Sequence, residues 1–323
     1  MSLFPPPTLQ SANGLAAHDL WLRETPHVDS FCSSTIWGIS ANYAFGDSGQ
    51  IIRHSSESGS ALFVWNSLFL RPLECVWLLG CPLLGPRPER VFRELEQDGT
   101  PGIPPWHAMV LSGLPLATAE WRPLHEAATR RCILRWVGSR NRNIASLEGG
   151  LDGWLSRRTP KFRTNLRRSE RAAEREGIRF TKHLIRHPDD ASSFFSIVRE
   201  VERHSHKAES GNGILEEPMH TFVASVFGLT IDRHGVHFVI AWQNGVPVGY
   251  VFGTVFMEMY RGLQMSFDDR FRPVSLGNLL QFQMISWLCE LHVPRYDMGA
   301  DLPYKERWAE LNHETVTVAL IRV

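Results

Sequence analysis

Cysteine is scarce in this chain of 323 residues: Cys32, Cys75, Cys81, Cys132 and Cys289 include no C-x-x-C pair and sit mostly in apolar surroundings. That pattern excludes a disulfide framework and suits buried, reduced thiols. Neither sign of charge is in excess, because 34 Lys and Arg balance 34 Asp and Glu, so bulk charge announces no nucleic acid, membrane surface or acidic partner. Long apolar runs are missing too. The longest, Ala61 to Leu84, is broken by Asn66, Arg71, Pro72, Glu74 and Pro82, which rules out a membrane span there. Met1 to Asn13 holds Pro5-Pro6-Pro7 but neither a basic nor an apolar leader region, so no signal peptide is expected. His204-x-His206 lacks a carboxylate or cysteine at ligand spacing, which argues against a metal. These absences point to a cytoplasmic protein with no membrane partner and no metal.

What is present is an ordinary globular composition, 43% hydrophobic and 21% charged, in a chain long enough for two domains of about 150 residues each. The boundary falls in the polar stretch Ser139 to Gly150, giving domains over 1–145 and 146–323. In the first, Phe31 to Trp37 reads as a short serine-capped helix, Asp47 to Gly59 as a loop, and Ser60 to Leu70 with Leu73 to Leu79 as paired strands. A helix from Gly85 through Glu96, a strand Trp106 to Leu111, a helix Ala117 to Arg130 and a strand Arg131 to Gly138 follow. Such alternation argues for an α/β unit with a mixed sheet. In the second, helices are expected over Leu151 to Arg157, Lys161 to Arg175, Asp189 to His204 and Glu216 to Phe227. A strand lies at Ile178 to Leu184, and a hairpin joins Val236 to Trp242 with Val246 to Phe256 through Asn244-Gly245. Thr315 to Arg322 is the final strand.

The most informative stretch runs from Tyr260 to Trp308: a strand to Phe267, a loop to Gly277, a helix to His292, a short strand Arg295 to Met298, and a turn leading into a short helix at Tyr304. A loop feeding a helix N-terminus offers unpaired N–H groups and the positive end of a dipole, a site for pyrophosphate. Arg272, Ser275, Leu276, Gly277 and Asn278 would form that cradle; a plain strand-to-helix connection is the other reading. The loop resembles the Arg-x-x-Gly-x-Gly/Ala coenzyme A motif of the GNAT superfamily, stretched by two residues and with Asn278 and Leu279 where a small residue is usual. Tyr296 to Trp308 resembles the D-x-G-x-x-x-x-Y-K-x-x-W/F segment of CelD-like acetyltransferases, double-domain GNAT proteins related in fold to Fem-type aminoacyltransferases. The faint similarity of the Ala61 to Leu79 and Val236 to Phe256 hairpins suggests a degenerate first copy, without a counterpart of the 272–278 loop.

The resemblance implies a tandem GNAT-like fold and transfer of an acyl group from acetyl-CoA or a longer acyl-CoA to an amine of a small molecule or peptide. It places Tyr304, Lys305, Asp297 and Asp301 in the catalytic segment: Tyr304 to protonate the thiolate, Lys305 to steady the oxyanion, and the two aspartates to orient them. Asp301 is equally suited to capping the short helix. A general base is open among Glu202, His204, His206, His237 and Asp268. Basic residues from Arg157 to Arg186, with Arg163, Arg167, Arg171 and Arg175 four apart, form either a solvated helix face or an anion-binding ridge. The ridge keeps tRNA open as a partner, and with it a Fem-type aminoacyltransferase using aminoacyl-tRNA. A non-catalytic binding module is the reading from another class.

Overall fold

The computed structural model describes residues 15–25, 27–115, 118–206, 213–231 and 233–323; the leader expectation and the first residue of the helix expected from Ala117 lie outside them. The chain divides into two compact units, one of residues 142–313 and one of the residues before 142 together with 314–323.

The N-terminal unit has the order α1 (Thr35–Phe45), β1 (Gln50–Ser56), β2 (Gly59–Asn66), β3 (Phe69–Pro72), β4 (Leu83–Leu84), α2 (Pro88–Glu96), β5 (Ala108–Leu114) and α3 (Arg122–Arg131). Its strands are ordered β1-β2-β3-β5, followed by the chain's last strand, β12 (Leu311–Arg322). Several expectations are corrected here. The helix expected from Phe31 starts four residues later, at Thr35 after Ser34. The polar 50–56 segment is a strand, not a loop, because the tight connection at Glu57-Ser58 folds it back along β2 with pairs from Gln50↔Trp65 to Ser56↔Gly59. Leu73 to Leu79 is not a strand. The Glu74 carboxylate accepts the N–H groups of Trp77, Leu78 and Leu79 at 2.5, 3.1 and 2.8 Å, which curls the chain into a turn. The final strand closes this unit, not the C-terminal one: Val316, Val318 and Leu320 are buried and β12 pairs antiparallel with β5.

β6 (Cys132–Ser146) runs on from α3 into the stretch expected to hold the boundary, where residues 142–146 pair antiparallel with β11 (Arg295–Ala300). The C-terminal unit continues with α4 (Gly150–Ser156), α5 (Pro160–Arg175), β7 (Ile178–Ile185), α6 (Pro188–Glu202) and α7 (Met219–Ile231). Then come β8 (Val236–Gln243), β9 (Val246–Phe256), β10 (Met259–Phe267) and α8 (Leu276–Glu290). Its strand order is β6-β11-β10-β9-β8-β7. Local chemistry explains several boundaries. Thr159 caps α5 by accepting the Phe162 N–H at 3.2 Å, Pro160 opens it, and Gly177 at φ 69° ends it. Asn244 and Gly245, at φ 52° and 80°, supply the two positive φ values of a tight hairpin.

α8 packs against β9 and β10 through Leu276, Leu279, Leu280, Met284, Ile285 and Leu288, all fully buried. Each such side chain contributes about 1.5–3 kcal/mol. Ser275, which starts α8 in the left-handed region at φ 59°, costs only about 1–2 kcal/mol. Packing wins, and the loop before α8 is held in that shape.

Candidate active site

The site begins with a disagreement between two neighbouring strands. β10 and β11 pair in parallel only at Met259↔Arg295, Tyr260↔Tyr296 and Arg261↔Asp297. Immediately afterwards the β10 register with β9 slips between Gly262 and Gln264, so Leu263 is a bulge. Gly262 leaves room there for Tyr296, since a Cβ would lie 3.0 Å from its ring and phenol oxygen, a tight contact. Beyond the bulge opens a cleft of about 780 Å³. One wall is β10 from Gly262 to Phe267, one end is the start of α8, and the opposite wall carries Met298, Leu302, Tyr304, Lys305 and Arg307.

Of the expected pyrophosphate cradle, Arg272, Ser275, Gly277 and Asn278 line this cleft. Leu276 does not; its side chain is wholly in the core. The Arg272 guanidinium donates to the Asp269 carboxylate at 3.2 Å, so an anion would share it with Asp269. Gly277 has a packing duty as well, because a Cβ there would lie 2.8 Å from the Phe267 ring.

Tyr304 and Lys305 also line the cleft, on a run of turns; the short helix expected from Tyr304 is absent, as Leu302–Trp308 carries isolated bonds such as Lys305 N to Leu302 O (2.8 Å) and Trp308 N to Lys305 O (2.8 Å). What holds the turns in place is Trp308, stacked on Trp154 with ring centroids 5.7 Å apart, while the Trp154 indole N–H donates to Trp308 O at 3.2 Å. Arg158 adds an ion pair with Glu310 and a bond to Arg307 O at 3.1 Å. Tyr304 is 38% exposed and Lys305 only 8%. Burial pushes the Tyr304 phenol up, so it is protonated at neutral pH. Burial, helped by Arg261, pulls the Lys305 ammonium down to about 8 against the attraction of Asp297 and Asp301.

The two aspartates stand apart from the cleft wall. Asp297 is 0% exposed, and its Oδ2 accepts from both Arg142 Nη1 and, at 2.7 Å, Arg261 Nη1. Its Oδ1 accepts the Gly299 N–H at 2.7 Å, which fixes the turn (Gly299 φ 81°) that aims the 302–308 segment. Asp301 accepts from Asn143 Nδ2 at 2.7 Å and caps no helix. Of the general-base candidates, His206 lines the cleft, 3.7 Å from Asp269. Glu202 is buried and accepts the Tyr250 hydroxyl at 2.5 Å. His237 is packed against Trp287 with its pKa lowered by burial to about 4, Asp268 is chelated by Arg270, and His204 lies beside Glu200.

The basic stretch resolves into two groups. Arg157 and Arg158 tie into Glu310, and Arg163 donates from Nη1 to the carbonyls of Leu155 and Arg158 at 3.2 and 3.1 Å, closing the end of α4. Arg167, Arg168, Arg171 and Arg175 are exposed. Sequence reasoning missed Gly262, Trp154, Arg142, Arg261, Ser266 and Gln281. Only Gly262 carried a local signal, as a lone glycine inside a strand. No described group of three or more His, Cys, Asp or Glu is placed to hold a metal, and no described helix is long and apolar enough to cross a membrane.

A family model described as an acetyltransferase (GNAT) domain matches residues 160–306. Among solved structures, a conserved protein of unknown function from Bacteroides thetaiotaomicron superposes with a TM-score of 0.64 at 13% identity, over 95% of this chain and 97% of that one. FemX superposes at 0.61 and 10% identity over 95% of both chains. L-PGS from Bacillus licheniformis gives 0.52 and 15% identity over 98% and 92%. At these identities the likeness is one of fold. No curated protein sequence matches the chain.

Proposed function

We propose that the C-terminal unit, of which residues 160–306 match the acetyltransferase (GNAT) domain model, transfers an acyl group from an acyl-CoA thioester to an amine. The observation that carries this reading is the cleft itself, a space between splayed β10 and β11 with the start of α8 at one end and Tyr304 and Lys305 on its wall. The first N–H groups of α8 and the hydroxyl of Ser275 would hold phosphate, with Asn278 beside them. The acyl arm would lie along β10 beyond the bulge, where the strand has parted from β11.

Each step has a group suited to it. The attacking amine must lose a proton, and His206 is the general-base candidate in the cleft wall. Negative charge developing on the carbonyl oxygen is stabilised by the Lys305 ammonium, held in a poorly hydrated site where its field is strong. The leaving thiolate takes the phenolic proton of Tyr304, which burial keeps on the oxygen. Asp297 positions this segment through Gly299 without touching the cleft.

A second reading, aminoacyl transfer from an aminoacyl-tRNA in the Fem manner, is favoured by the exposed arginines of α5 and by the likeness in fold to FemX. Melting curves with acetyl-CoA, longer acyl-CoAs and RNA, followed by thiol release in the presence of amine panels, test both. The expected outcome is stabilisation by a CoA ester and amine-dependent thiol release. Stabilisation by RNA alone would replace this reading with the second, and coenzyme binding without turnover for any amine would make the chain a binding module.

A further inference from the structure

One strand of the N-terminal unit has an open edge. β6 lies between β12 and β11, but β11 pairs with it only over residues 142–146, so residues 132–141 have no neighbour on that side among the described strands. At the centre of this free stretch Trp136 is 62% exposed, Val137 52% and Ile133 44%. Edge strands are ordinarily kept from pairing by short length, proline or charge. Here the free stretch is long, contains no proline and carries its largest side chain, a tryptophan, in the open. A row of unpaired N–H and C=O groups is left beside exposed aromatic and aliphatic surface.

The arrangement of these groups decides what kind of partner fits. Successive side chains of a strand point to opposite faces, so Ile133 and Val137 stand on one face and Trp136 on the other. A flat partner such as a bilayer touches one face only. An added strand lies in the plane of the sheet, and its own side chains meet apolar groups on both faces. Charge narrows the choice further. Between Glu126 and Glu148 the sequence has no Asp or Glu but five arginines. Arg142 is buried against Asp297, whereas Arg130, Arg131, Arg135 and Arg140 are exposed, and Arg130 and Arg135 make no ion pair with a described residue. A second copy of this edge would set arginines against arginines. The chain's own residues 1–14 contain no acid and three prolines, and proline cannot donate to a ladder.

We propose that residues 132–141 of β6 are a strand-addition site for an extended acidic peptide segment. The main chain of the peptide pairs with the free edge, Trp136, Val137 and Ile133 pack on its alternate side chains, and Arg130 and Arg135 meet its carboxylates. The site lies within the N-terminal unit and does not rest on the acyl-CoA reading.

The test is fluorescence anisotropy with a labelled alternating Glu-Val decapeptide and its Lys-Val counterpart, on the full chain, on Trp136→Ser and on Arg130→Glu combined with Arg135→Glu, each with a melting curve. The Glu-Val peptide should bind, more weakly as salt rises, and the Lys-Val peptide should not. Trp136→Ser should weaken binding about tenfold or more, and the double charge reversal should exchange the preference between the peptides. A strand bonds its neighbour through alternate residues, so N-methylating every Glu amide or every Val amide should abolish binding in one of the two methylated peptides and spare it in the other. That comparison uses the unaltered chain and so is independent of how the variants fold. Failure of the Glu-Val peptide to bind at millimolar concentration, equal binding of both peptides, or any methylation result other than loss in one alone would overturn the proposal. So would a dimer that Trp136→Ser dissociates in sedimentation, which gives the edge to a second copy.

Discussion

Lys305 is a lysine whose burial in the cleft wall costs stability. Its pKa falls from an ordinary 10.5 to about 8, so the folded chain holds its proton less firmly than the unfolded chain does. The penalty is therefore complete below pH 8 and disappears as pH rises toward 10.5. Lys305→Met should raise the melting temperature at pH 7, by up to roughly 3 kcal/mol of stability, and this gain should vanish near pH 10.5. The same change should lower kcat by roughly 10²-fold to 10³-fold if the ammonium steadies the oxyanion. The turnover of the unaltered chain should fall as pH rises through about 8, and Lys305→Arg should move that fall to higher pH because a guanidinium stays charged. Flat pH–rate curves between pH 7 and 9 would remove the charge from the mechanism. Tyr304→Phe keeps the ring and deletes only the donor, so kcat should drop about 10²-fold with an unaltered melting curve. Asp297 differs in kind. Asp297→Asn would leave Arg142 and Arg261 buried without their carboxylate, and denaturant titration should show a loss of roughly 3–5 kcal/mol.

Among the elements, α5 and α8 make contrasting predictions. α5 carries its ligand-accessible charge at Arg167, Arg168, Arg171 and Arg175, whereas Arg163 is spent on carbonyls at the end of α4. Charge reversal at Arg167 and Arg171 together should leave the melting temperature within a degree or two while abolishing any salt-sensitive RNA gel shift. Arg163→Glu should cost stability whatever the substrate, because two carbonyls lose their donor. If the Arg167 and Arg171 variant keeps both its RNA shift and its salt dependence, the ridge is not the RNA contact. For α8, Gly277 lies against Phe267, so Gly277→Asp would combine electrostatic repulsion of phosphate with a displaced ring. Asn278→Asp, at a residue that lines the cleft one position further on, is the cleaner change: CoA affinity should fall several-fold with little change in melting temperature.

Considered as a whole molecule, the two units repeat one order, three antiparallel strands, a helix and a parallel strand: β1-β2-β3-α2-β5 and β8-β9-β10-α8-β11. In the N-terminal unit β3 and β5 also pair briefly, at Phe69↔Ala108 and Leu70↔Met109. Here, however, the chain between β3 and β4 fills the equivalent space. Ser112 Oγ donates to Gly80 O at 2.6 Å, and a Cβ on Gly113 would lie 2.5 Å from Leu79 O. The chain should accordingly bind one coenzyme and not two, which calorimetric stoichiometry will show; a second equivalent of comparable affinity would contradict the plugged repeat.

The residues by themselves determined a good deal. Asn244-Gly245 dictates its hairpin, and Thr159-Pro160 and Gly177 bracket α5, because caps and turns act through neighbours a few positions away. Strand partnership could not be read this way. β1 is polar yet paired, Leu73 to Leu79 is apolar yet looped around Glu74, and β12 closes the N-terminal unit, since an edge accepts any strand whose alternation fits its face. The partnership of Asp297 with Arg142 and Arg261 was likewise decided only by tertiary structure. Charge pairing arises between residues as far apart as Arg142 and Asp297, and burial sets its magnitude.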